Sequence, residues 1–154
     1  EHDDPRIVSA LDNAAYLTVL KHIPDGLSEN MAIYVDNSGS MNLNQLFYKS
    51  LAMAYFISKK YPNTEVFLVN SEVQKIELKT LKECCQSFNP SIGLQMPGIE
   101  PKYHQVIWIS DTSSQLGKMV GDHQLTYIGV SGEFFYHPEV KYVPGTEFMN
   151  LELL

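Results

Sequence analysis

Short, uninterrupted apolar runs alternate along the chain with longer stretches whose apolar residues recur every three or four positions. The runs Met31-Ala32-Ile33-Tyr34-Val35, Val66-Phe67-Leu68-Val69, Val106-Ile107-Trp108-Ile109 and Leu125 to Val130 are too short for helices and lack polar alternation. They read as strands buried on both faces, as in a parallel sheet. Val73 to Leu78 mixes apolar and polar residues more evenly, which suits a half-exposed, antiparallel strand at a sheet edge. Val140 to Val143 is a further strand candidate.

The intervening stretches carry helical spacing. Asp4-Pro5 offers an N-cap and a first-turn proline, and Ile7, Leu11, Ala14 and Thr18 follow on one stripe, flanked by Val8, Ala15 and Val19. Pro24-Asp25-Gly26 closes that segment. Asn42 is placed to cap a helix from about Leu43 to Lys60, with Leu43, Phe47, Leu51, Ala54 and Ser58 on its inner stripe, widened by Leu46, Met53 and Ile57. Tyr61-Pro62-Asn63 stops it. Short helices are expected over 80–88 and around Leu116 to Val120, and a closing helix or tail over Glu147 to Leu154. Asn89 to Pro101 reads as irregular.

Strands alternating with helices predict an α/β fold: a mostly parallel central sheet with one antiparallel edge strand and helices on both faces, Rossmann-like in layout. The expected organisation is a single domain over 1–154, with an N-terminal helical extension (1–28), a core (30–130) and a C-terminal strand and helix (131–154). Ligands of such sheets sit beyond the carboxyl ends of the strands. Asp36 and Asp111 each follow a buried strand, so the pattern places two carboxylates at one rim.

The loop after the first strand reads Asp36-Asn37-Ser38-Gly39-Ser40. It offers one carboxylate and two hydroxyls at alternate positions, hard oxygens of the kind Mg²⁺ takes. Gly39 is expected to let the backbone bend between the serines. This segment, with Met41, resembles the D-x-S-x-S signature of von Willebrand factor type A domains, and Val106 to Asp111 resembles the strand-plus-aspartate element of that family. The resemblance runs from about residue 30 to 130. It implies a metal-ion-dependent adhesion site in which Asp36, Ser38, Ser40 and Asp111 surround Mg²⁺ or Mn²⁺, with no catalytic role. The family's threonine ligand, usually in a Gly-x-Thr turn, is missing from Asn89-Pro90-Ser91-Ile92-Gly93. Ser91 offers the same oxygen there, and Thr112 is a second candidate. The resemblance further implies a protein partner that presents an Asp or Glu to the metal, and an adaptor role in a multi-protein assembly, including assemblies with AAA-type ATPases.

Composition narrows the alternatives. The 154 residues carry a formal net charge of -7, which repels phosphate backbones and disfavours a nucleic-acid or RNA-associated role. No apolar run nears the length of a membrane span, and the acidic start Glu1-His2-Asp3-Asp4 shows no secretory n-region. The only cysteines, Cys84 and Cys85, are adjacent and form no disulfide framework, which favours a reducing, cytoplasmic setting. Gly129-Val130-Ser131-Gly132 resembles a nucleophile elbow but has Glu133 where the last glycine belongs. Two other functions stay open: a metal-assisted phosphohydrolase using Asp36 and Asp111, and a scaffold domain whose metal site has decayed. Against the first, Ser38 stands where such enzymes want a second aspartate, and neither loop carries a Lys or Arg to clamp a phosphoryl group.

Overall fold

A computed structural model describes residues 30–77, 93–96, 98–132 and 135–145. The elements in chain order are β1 (Met31–Asp36), a 3-10 helix (Gly39–Gln45), α1 (Leu46–Lys60), β2 (Glu65–Val69), β3 (Val73–Ile76), β4 (Gln105–Ser110), α2 (Leu116–Met119), β5 (Gln124–Gly129) and β6 (Val140–Pro144). The helices expected over 4–22, 80–88 and 147–154 lie outside the described residues.

The strands form one six-stranded sheet in the order β3-β2-β1-β4-β5-β6. Every neighbouring pair is parallel except β2 with β3, the antiparallel edge that the mixed pattern at Val73 predicts. The central strands β1 and β4 are buried at every position, as their unbroken apolar runs require.

Side-chain parity divides the core into two. Met31, Ile33 and Val35 of β1 and Ile107 and Ile109 of β4 pack with Phe47, Leu51 and Phe56 of α1. Ala32 and Tyr34, with Val106 and Trp108, pack on the other face with Met96, Tyr103, Leu116 and Met119, from α2 and the segments before β4. Tyr34 stacks on Phe67 at 4.8 Å, and burial, with Glu100 and Glu65 nearby, pushes its hydroxyl up to about 12. The fold is thus α/β with a mostly parallel sheet. Among the described residues one face is covered by the 15-residue α1, the other by the four-residue α2 and irregular chain.

One boundary differs from the sequence expectation. The helix does not start at Leu43 under an Asn42 cap. Residues Gly39–Gln45 form a 3-10 helix, and Gln45 adopts a left-handed backbone (φ 60, ψ 27) before α1 begins at Leu46. Leu43, expected on the inner stripe, is 67% exposed. The reason is geometric. A 3-10 turn advances three residues rather than 3.6, and the left-handed joint resets the helical phase, so apolar spacing read across both pieces fails at the first.

Candidate cation site at the carboxyl rim

In-register pairing of Val35 with Ile109 sets the ends of β1 and β4 side by side. Asp36 is the last residue of one and Ser110 of the other, and both are fully buried. The ladder continues past them, with the Asn37 amide donating to the Val69 carbonyl at 2.7 Å and the Val130 amide to the Ser110 carbonyl at 3.0 Å. The loops leaving β1 and β4 therefore start from a fixed base.

Asp36 is the hub. Its Oδ1 accepts from the Ser38 amide at 2.8 Å, and its Oδ2 accepts from the Ser110 hydroxyl at 2.5 Å. The first bond curls the chain so that the carboxylate closes its own turn; it does not cap α1. Ser38 and Ser40 bring their hydroxyl oxygens within 3.3 Å of each other. Cation–oxygen bonds of about 2.0–2.1 Å in an octahedral shell place neighbouring ligand oxygens about 3 Å apart, so this spacing suits two adjacent positions around one Mg²⁺. Ser38 is buried and Ser40 exposed, so the pair runs from the floor of the rim to solvent.

Burial pushes the Asp36 carboxyl above its usual range. Hydrogen bonds from Ser110 and Ser38 oppose that shift, and the charge of Asp111 adds to it. The two predicted carboxylates are thus electrostatic neighbours at one rim. Neither is ion-paired to a Lys, Arg or His among the described residues. Asp111 Oδ1 is buried without a hydrogen-bond partner there, while the Asp111 carbonyl accepts from Ser131 Oγ at 3.1 Å. A buried carboxylate oxygen left unpaired costs free energy that a cation would offset.

Two other predicted residues fare differently. Ser91 lies outside the described residues. Thr112 uses its hydroxyl to accept from the Ser114 amide at 3.2 Å, and its carbonyl accepts from Trp108 Nε1 at 3.1 Å, so its polar atoms brace the loop. Gly39 does not adopt a left-handed backbone, and a Cβ there would meet nothing within 4 Å; no tight bend requires the glycine. The residue that sequence reasoning missed is Ser110. Its signal is parity: Asp36 and Ser110 both continue the face that carries Tyr34 and Trp108.

The donor set is all oxygen. Among the described residues no three of His, Cys, Asp and Glu gather, so the side-chain oxygens offered at this rim are those of two carboxylates and the serine hydroxyls. A cavity of about 670 Å³ lies at the opposite end of the sheet near Thr64, Glu65 and Lys75, away from both carboxylates. No helix among the described residues is long and apolar enough to cross a membrane. No protein-family model matches the chain, and no curated protein matches its sequence.

Proposed function

We propose that this rim holds a divalent cation of the Mg²⁺ or Mn²⁺ class and, through it, a carboxylate of a protein partner. The observation that carries the proposal is the pair Asp36 and Asp111: among the described residues they share one rim without a neutralising side chain, and a buried Asp111 oxygen has no hydrogen-bond partner. The resemblance of Asp36 to Ser40 and of Val106 to Asp111 to the von Willebrand factor type A pattern supports it from the sequence side. The same reading gives the chain that family's architecture, with helices over both faces of the sheet, and a cytoplasmic adaptor role.

In this reading Ser38 and Ser40 supply neutral oxygens, and Asp36 and Asp111 supply charge, directly or through water. Ser91 is the proposed fifth protein ligand. Bound there, the cation supplies an electrophilic position that an external carboxylate can fill. Asp36, already engaged at both oxygens, balances the charge from the floor of the site. Ser40, at the exposed end, faces the side from which a partner arrives.

Calorimetric titration of the full chain with Mn²⁺ and Mg²⁺ tests this, alongside Asp111→Ala. The wild type is expected to bind Mn²⁺ and the variant to lose most of that binding. Glutarate, added as a carboxylate probe, is expected to bind only when Mn²⁺ is present. Absence of cation binding by the wild type, with identical melting in EDTA and in Mn²⁺, overturns the proposal.

A further inference from the structure

On the footing of the cation reading, we propose that Ser110 is the positioning residue of the rim: its hydroxyl ties the loop bearing Asp111 to the Asp36 carboxylate and fixes both before any cation arrives. Ser110 ends β4 and is fully buried. Its Oγ donates to Asp36 Oδ2 at 2.5 Å and accepts from the Thr112 amide at 3.0 Å. One hydroxyl thus joins positions 36 and 112, with Asp111 between its own residue and Thr112.

The brace extends inward. The Thr112 carbonyl accepts from the Trp108 indole at 3.1 Å, and Trp108 is a fully buried core residue. The Ser110 carbonyl accepts from the Val130 amide at 3.0 Å. The loop that carries Asp111 is therefore held at its start, by its second residue and by a core side chain. Asp36 is held from both sides, Oδ1 by its own loop and Oδ2 by Ser110. A carboxylate so fixed has little rotamer freedom left to lose on binding, which is preorganisation in the ordinary sense. Groups that orient metal ligands without touching the metal typically change affinity 10- to 100-fold when removed.

The test is a Mn²⁺ titration of the full chain and its variants, followed by heat and by the emission of Trp108, the single tryptophan in the sequence. Ser110→Ala removes the hydroxyl, Ser110→Cys keeps its size with a weak donor, and Ser110→Thr keeps the hydroxyl. Ser110→Ala and Ser110→Cys are expected to weaken Mn²⁺ about 10- to 100-fold, and Ser110→Thr to stay within about threefold of wild type. Ile107→Ala is the structural control, since it damages the same strand without touching the hydrogen bonds; measured well below its melting temperature, it is expected to retain wild-type affinity. Should Ser110→Ala not fold, the contrast between Cys and Thr decides. Equal Mn²⁺ affinity in Ser110→Cys, Ser110→Thr and wild type overturns the role of Ser110 alone, as does an equal loss in Ile107→Ala. A wild type that binds no Mn²⁺ rejects the cation reading and this proposal with it.

Discussion

Asp36→Asn should make the metal-free protein more stable at neutral pH. The substitution keeps the shape of the side chain and removes its charge. The amide oxygen can still accept from the Ser38 amide, and the amide nitrogen can donate to Ser110 Oγ. Burying a carboxylate with no cationic partner costs several kcal/mol. The bonds from Ser38 and Ser110 return about 1.5–3 kcal/mol each, as bonds to a charged acceptor. The two contributions nearly cancel, and the upward displacement of the Asp36 carboxyl shows that burial, with Asp111 beside it, outweighs the hydrogen bonds. The expected gain in EDTA at pH 7 is on the order of 1 kcal/mol, about 2–4 °C in melting temperature for a chain of this size. The pH dependence follows from the same sign. A group whose folded pKa is raised contributes stability when protonated and loses it as pH rises through the folded value. In EDTA the gap between variant and wild type should therefore be widest at pH above the folded value and close as acid protonates Asp36. Excess Mg²⁺ should reverse the ranking. A cation at about 100 times its Kd stabilises the wild type by about 2.7 kcal/mol, and the variant gains little. Thermal melts of both proteins, with EDTA and with Mg²⁺, at several pH values, provide the measurement. A variant less stable than wild type in EDTA at pH 7 refutes the claim that the rim is strained by its own charge.

Gly39→Ala should change stability by less than about 0.5 kcal/mol and leave Mn²⁺ binding intact, because a Cβ there meets open space; a loss of binding would mean the loop needs glycine after all. Ile107→Ala empties a fully buried site on the central strand and should cost about 2–5 kcal/mol by urea denaturation, with the lower end meaning that α1 closes onto the gap. At the other end of the sheet, the Tyr103 hydroxyl donates to Glu65, which together with Lys102 and Lys75 holds the Glu65 carboxyl below its usual range. Tyr103→Phe should bring that carboxyl back toward the ordinary value, read by NMR titration. The stability that Glu65 contributes above its unfolded pKa, lost as acid titrates the folded group, should shrink accordingly; an unchanged titration would assign the shift to the lysines.

The strand pattern was legible because β1 and β4 are buried on both sides and leave no polar residue to break their runs. The edge position of β3 was legible for the opposite reason: Gln74 and Lys75 are exposed and show in the sequence. The start of α1 was not, since Gln45 adopts a left-handed backbone that nothing in its side chain advertises. Asp36 and Asp111 were found by their place after apolar runs. Ser110 was overlooked because a serine at a strand end has many ordinary uses, and its partner lies 74 positions away in the chain. Only the register between two strands reveals which carboxylate it meets.

That separation restricts where the rim can exist. A peptide copied from residues 31–45 would contain the whole serine-rich signature and still lack the neighbour that anchors its aspartate. Long-range pairing of this kind forms only after the intervening chain has been ordered, so the pocket matures with the central strands and not before. Its chemistry belongs to the topology, and no short fragment should inherit it.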